Sequence, residues 1–211
     1  MMNGKRHQKL KLIPVNTKLR RLTYLILKVI VVIFLGTIML SEQKYKEPTY
    51  KVLEKKGSIE IRDYDSCIVA KTSIQVEDKE SDSNMFRVLA SYIFGGNANN
   101  QSIPMTAPVT TFNDDKSYTM MFYMLEAANI DDLPKANNRN IKFEVLDLGK
   151  CGSISFSWFV NDQKINRYRD KLLAFLDQEG YTYNSSVIVN RYDSPWKLPF
   201  MRRNEILVQI Q

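Results

Sequence analysis

The longest apolar run lies near the start of the chain. Residues 22–40 read LTYLILKVIVVIFLGTIML, interrupted by one charge, Lys28. Beyond it the apolar positions break into short runs. Ile59-Glu60-Ile61-Arg62 alternates as a half-buried strand does, and residues 67–74 form a second strand. Residues 82–94 (DSNMFRVLASYIF) carry a helical period, with Asp82 or Ser83 as N-cap and Gly95-Gly96 as the stop. Strands follow at 118–125, 141–148 and 153–160. A second helix is predicted over 162–179, capped by Asp162 and ended by Gly180, and a closing strand over 206–211. Residues 41–50, with Pro48, read as a linker into a domain spanning 45–211.

The order strand, strand, helix, strand occurs twice, which prompts a search for a repeat. A shift of 84 residues places Glu60 on Glu144, Asp63 on Asp147, Cys67 on Cys151, Ser73 on Ser157, Val76 on Val160 and Asp78 on Asp162. It also places Leu89-Ala90 on Leu173-Ala174, Gly96 on Gly180, Phe122 on Ile206 and Met124 on Val208. Two such halves predict an α+β fold: a largely antiparallel sheet or distorted β-barrel, pseudo-twofold, with one helix from each half.

Charge divides the chain differently. Residues 1–40 contain Lys5, Arg6, Lys9, Lys11, Lys18, Arg20, Arg21 and Lys28 and no acid. The rest holds 22 of the 30 basic residues against all 23 acidic ones, so the net +7 belongs to the N-terminal segment. A near-neutral domain lacks the clustered positive charge that nucleic-acid binding needs, and no such partner is expected. Residues 22–40 as a helix span about 30 Å, the thickness of a bilayer core. Residues 1–21 then form a basic cytoplasmic tail, and the domain lies across the membrane. An uncleaved anchor is favoured over a signal peptide with its apolar core at 29–40, because Ile38-Met39-Leu40-Ser41 offers little of the small-residue pattern that cleavage needs. The layout suggests a bacterial inner membrane with a periplasmic domain. The sequons at Asn100 and Asn184 matter only in a eukaryotic secretory route.

The domain is poor in catalytic groups. His7 is the one histidine of the chain and lies in the tail, which removes the usual general base and the commonest metal ligand. Two cysteines, Cys67 and Cys151, are too few for a structural zinc site. No phosphate loop follows a strand, and the acid pairs Asp114-Asp115 and Asp131-Asp132 sit in polar loop-like stretches. No enzymatic activity and no metal site are therefore expected. Both a Cys67–Cys151 bridge and two buried thiols are compatible with the sequence, since geometry decides between them.

The helix over 82–94 is apolar over an unusual breadth. Phe86, Leu89, Ala90 and Ile93 form one stripe, suited to packing on a sheet. Met85, Val88 and Tyr92 form a second stripe beside it, which either deepens the core or walls a ligand cavity, with Arg87 nearby for an anionic group. The helix over 162–179 has one inner stripe, Ile165, Tyr168, Leu172 and Leu176, and a polar outer face.

Several segments together resemble the SOUL haem-binding protein family. They are Glu47-Pro48-Thr49-Tyr50, Ile59-Glu60-Ile61-Arg62-Asp63-Tyr64, the helix residues Phe86, Leu89 and Tyr92-Ile93 with Gly95-Gly96-Asn97, Ile103-Pro104-Met105-Thr106-Ala107-Pro108-Val109, and YDSPWKLP at 192–199 followed by Arg202-Arg203-Asn204-Glu205-Ile206. The resemblance implies a distorted barrel with two helices and binding of haem or another tetrapyrrole, without catalysis. It places the ligand on the apolar surface beside the first helix of the domain, here Met85, Val88 and Tyr92, with Arg87 as propionate partner. The axial histidine of some members has no counterpart, so haem would be held loosely; Cys, Met or Tyr remain as other iron ligands. A related fold serves bacterial effector-binding domains that take up greasy small molecules. A protein-interaction or structural module that no longer binds haem is the alternative function. Pro104 and Pro108 are expected to fix an ordered loop, Trp196 to plug the barrel end, and Arg203 to pair with Glu205.

Overall fold

The computed structural model describes residues 17–40, 45–75, 82–114 and 116–211, with the side chains of 17–19, 32–40 and 185 excepted. It divides into two units, residues 1–44 and 45–211. In the first, helix α1 runs Thr17–Leu40. Among the described residues no helix is long and apolar enough to cross a membrane. The side chains of 32–40, over which half of the predicted span runs, lie outside the described residues, as does the tail over 1–16 with His7.

The second unit is a nine-stranded sheet with two α-helices on one face. In chain order the elements are β1 (Tyr50–Lys56), β2 (Ile59–Tyr64), β3 (Cys67–Gln75), α2 (Asp82–Ile93), β4 (Val109–Asn113), β5 (Ser117–Tyr123), β6 (Lys142–Leu146), β7 (Gly149–Phe156), α3 (Asp162–Gln178), β8 (Tyr183–Arg191) and β9 (Asn204–Ile210). All strand pairings are antiparallel, in the order β1-β2-β7-β9-β8-β4-β5-β3-β6. The expected barrel is therefore a curled, open sheet: β1 and β6 are edges and do not pair with each other.

Strand register carries the 84-residue repeat. Glu60 of β2 pairs with Ser153 of β7, and the shifted residue Glu144 of β6 pairs with Val69 of β3. Ala70 pairs with Phe122, and Ile154 with Ile206. The first strand of each half thus pairs with the other half, which ties the two into one sheet. The repeat slips at β8, where Glu205 pairs with Asn190 and not with position 194, after an irregularity between Tyr183 and Val187, and β1 has no counterpart strand at 134–140. At the centre Thr110 of β4 faces Asn190 of β8, and its hydroxyl donates to Asn190 Oδ1 at 2.6 Å. The proposed correspondences at Val76 and Asp78 lie outside the described residues.

Each helix covers its own half of the sheet. Met85, Leu89, Tyr92 and Ile93 of α2 pack on Ile68, Ala70, Met120 and Phe122. Leu172, Phe175 and Leu176 of α3 pack on Ile61, Ile154, Ile206 and Val208. A β-carbon on Gly152 would lie 3.0 Å from Leu176 Cδ2, so the glycine sets how closely α3 approaches β7. The N-cap of α3 is Asn161, whose side chain accepts from Lys164 N at 2.9 Å, one residue before the expected Asp162.

The opposite face carries buried polar groups. Arg62 and Glu205 form a two-pronged ion pair at 2.8 and 3.0 Å, with 3% and 2% of their surface exposed. Arg62 also donates to Glu60 and to Tyr64 Oη, and its guanidinium stacks 4.3 Å over the Tyr50 ring. Tyr192 Oη and Ser155 Oγ donate to Glu205. The expected partner of Glu205, Arg203, instead meets Glu47 at 2.5 Å and stacks on Tyr192. The reason is position and competition: Arg203 precedes β9, outside the regular strand, and the buried Arg62 already occupies both carboxylate oxygens.

Candidate functional site: the recess beside helix α2

Helix α2 docks through a narrower arc than two full stripes. Leu89 is at its centre, flanked by Met85, Tyr92 and Ile93, all nearly inaccessible. Phe86, expected in the core stripe, is 40% exposed and meets Phe122 only edge-on at 5.3 Å. The core is thus rotated toward Met85 and Tyr92, because these two flank Leu89 on the side facing Phe143 and Ile141.

The C-terminal end of α2 is fixed by Asn97. Its amide donates to the carbonyls of Tyr92 and Gln101, and its side-chain oxygen accepts from the backbone of Asn99 and Gln101. Gly96 lies so close to Ser91 that a β-carbon would come within 2.6 Å of the Ser91 carbonyl. The turn then pairs with the segment before β6: Ala98 N donates to Lys135 O, and Asn137 N to Gly96 O. This brings residues 137–141 alongside the helix.

Between them lies a recess of about 590 Å³, lined by Val88, Ser91, Tyr92, Gly96, Asn137, Asn138, Arg139 and Ile141. That volume is within the range of small-molecule pockets, ~300–1,000 Å³. Of the four residues expected to bind ligand, Val88 and Tyr92 line it. Met85 is sealed in the core, and Arg87 is exposed, donating to Asn84 Oδ1 at 3.3 Å. Arg139, which the sequence pattern does not single out, supplies a cation with no carboxylate partner among the described residues.

The iron ligands open to the sequence fare differently. Burial pushes the Tyr92 hydroxyl up to about 12, and the group donates to the Pro134 carbonyl at 2.9 Å, so at neutral pH it offers a ring and not a phenolate. Burial raises Cys67 to about 11 and Cys151 to about 12; both are free thiols, and they pack with Tyr123 and Tyr64, away from the α2 core. Among the described residues no group of three His, Cys, Asp or Glu side chains is placed to hold a metal ion. The recess joins a small apolar wall at Val88 and Ile141 to a polar rim of Ser91, Asn137, Asn138 and Arg139, and among the described residues it offers no strong axial donor.

A larger depression, about 1060 Å³, lies between the N-terminal parts of α2 and α3 over β4 and β8. Part of its charge is matched within the lining. Asp82 accepts from Tyr118 Oη at 2.6 Å and faces Arg191 at 3.5 Å, while Arg191 donates to Thr111 Oγ1.

A family model described as SOUL heme-binding protein matches residues 45–209. The chain belongs to the SOUL haem-binding family. It is 28% identical over 177 residues to Heme-binding protein 2 of Homo sapiens, covering 78% of this chain and 85% of the relative, and 27% identical over 178 residues to the Mus musculus protein of that name. Among solved structures, the EcmrR C-terminal domain superposes with a TM-score of 0.55 at 15% identity, covering 77% of this chain and 98% of that one. A hydrolase from Listeria innocua gives 0.51 at 8%, covering 84% and 98%. At those identities the likeness concerns the fold alone.

The SOUL signature segments now have positions. Thr106 Oγ1 donates to the Tyr123 carbonyl at 2.8 Å, and Ala107 N donates to Lys46 O, so the proline-flanked loop clamps the entry of the domain. Trp196 plugs nothing: it is 93% exposed. An open sheet leaves no barrel end there to fill.

Proposed function

We propose that this SOUL-family chain binds haem or a similar tetrapyrrole in the recess beside α2. The observation that carries this is the pairing of a small apolar wall, Val88 and Ile141 over the buried Tyr92 ring, with the guanidinium of Arg139, which meets no carboxylate among the described residues. Bound there, the macrocycle would lie against the apolar wall, and Arg139 would meet a propionate; Arg87, exposed on α2, does not line the recess. Haem itself would supply only its iron and its colour, and with no histidine in the domain it would be held weakly. Binding, and not turnover, is the proposed activity.

The second part of the proposal is tethering. The apolar run 22–40 after Lys18, Arg20 and Arg21 supports a single-pass anchor with its N-terminus cytoplasmic and the domain on the other side.

Haemin titration of the full chain in mild detergent tests the ligand. A saturable Soret change without a bis-histidine spectrum is expected. It should be lost in a Val88→Asp, Arg139→Glu double variant that keeps the circular dichroism of the parent. A response equal in parent and variant would reject the recess; no saturable response would reject haem and favour the interaction-module alternative. Vesicle flotation after alkaline washing tests the tether.

A further inference from the structure

The two tryptophans of the chain, Trp158 and Trp196, both stand in water, 51% and 93% exposed. Phe159, Leu198 and Phe200 beside them are also largely exposed. The two segments form one surface. Trp158 N donates to the Pro199 carbonyl at 2.8 Å, Arg202 lies 4.9 Å over the Phe159 ring, and Asn204 Nδ2 donates to the Trp158 carbonyl at 2.9 Å. Trp158 holds a φ of +78°, which residues with a β-carbon seldom adopt, so its backbone bonds maintain a costly placement of an exposed ring. Contiguous apolar surface of this kind marks an interaction site.

What covers it follows from where the chain enters the domain. Arg203, next to Arg202, pairs with Glu47, and the Lys46 carbonyl accepts from Ala107 N. The entry is thus pinned beside the aromatic surface. Only residues 41–44 separate the end of α1 from that entry in the sequence. The side chains are also of the interfacial type. Tryptophan and phenylalanine rings favour the headgroup level of a bilayer. Arg202 donates to the carbonyls of Lys197 and Pro195 and meets no carboxylate among the described residues, which leaves its charge for anionic headgroups. We infer that the surface formed by residues 158–159 and 196–200 docks on the bilayer interface. The inference rests on the tethering reading above.

Because both tryptophans lie on this surface, tryptophan emission, excited beyond the tyrosine absorption band, reports on it alone. The full haem-free chain is reconstituted into vesicles of phosphatidylcholine and phosphatidylglycerol, with and without brominated acyl chains. The expected result is at least about a twofold lower emission in brominated vesicles, as for rings at headgroup depth. Single Trp158→Phe and Trp196→Phe variants should each retain quenching of the remaining ring, and Arg202→Glu should weaken it in both. Protein that floats with the vesicles but emits equally in both overturns the docking and leaves the tether standing. Protein that does not float overturns both.

Discussion

Arg62 and Glu205, 143 positions apart in the sequence, meet in a two-pronged ion pair almost fully removed from water. Each lies on a strand flanking β7, so the pair spans three strands of the sheet. Burial by itself would raise the Glu205 carboxyl; the Arg62 hydrogen bonds and charge outweigh it and hold the group below its ordinary value of 4.5. Glu205→Ala leaves Arg62 buried without this partner and should cost about 3–5 kcal/mol in urea unfolding.

The same pair sets an acid limit. A carboxyl lowered in the folded state contributes stability that is complete above its unfolded value and vanishes as pH falls through the folded one. The parent should therefore lose stability on acidification below pH 4.5 more steeply than Glu205→Gln, which has no proton to take up there. Chemical denaturation at stepped pH measures the two slopes; equal slopes would show that Glu205 is not the titrating group.

Met85 and Val88 lie three residues apart on α2 and should separate core from site. Met85, 1% exposed among Leu89, Met120 and Phe122, is a packing residue, and Met85→Ala should destabilise by about 2–5 kcal/mol. Val88→Ala at the recess rim should cost well under that and still weaken haemin binding. Urea midpoints paired with haemin titrations decide the matter.

The two thiols should remain reduced and slow to react. Burial alone raises Cys67 to about 11; at Cys151, raised to about 12, burial dominates over the opposing charge of Arg62. Alkylation of native protein at pH 8 should be much slower than of unfolded protein, because thiolate is the reactive form. Mass measurement without reductant should find both labelled after unfolding. One bridged mass would contradict the free cysteines.

Gly152 is expected to tolerate no side chain cheaply. Its β-carbon position lies 3.0 and 3.2 Å from the two Leu176 methyl carbons. Gly152→Ala should cost about 1–3 kcal/mol by overpacking, with an unchanged m-value in urea.

Much of this architecture was legible because periodicity is local. Both helices of the domain and strands β2, β3, β5, β6, β7 and β9 follow from it, with boundaries within a few residues. Three strands escaped it. β1 (YKVLEKK) is mostly exposed at an edge and has no alternating face to detect. β4 and β8 meet at the centre, where Thr110, Thr111 and Asn190 are buried polar residues, so hydropathy hides them. The slip of the repeat at β8 hid its partner as well.

The site was half legible for a related reason. The sequence places Val88 and Tyr92 on one helical face, since spacing fixes the azimuth of side chains. It could not say that Met85, on the same face, is sealed, or that Arg139 stands opposite, because the Asn97 turn and the strand pairing bring residues 137–141 to α2. Composition, repeat and signature segments by themselves determined an α+β SOUL domain without histidine and an N-terminal apolar run. Only the tertiary structure decided that the sheet stays open, that Trp158 and Trp196 lie bare beside the domain entry, and that Glu205 takes Arg62 and not Arg203. Those outcomes depend on contacts between residues far apart in the chain, which local pattern does not encode.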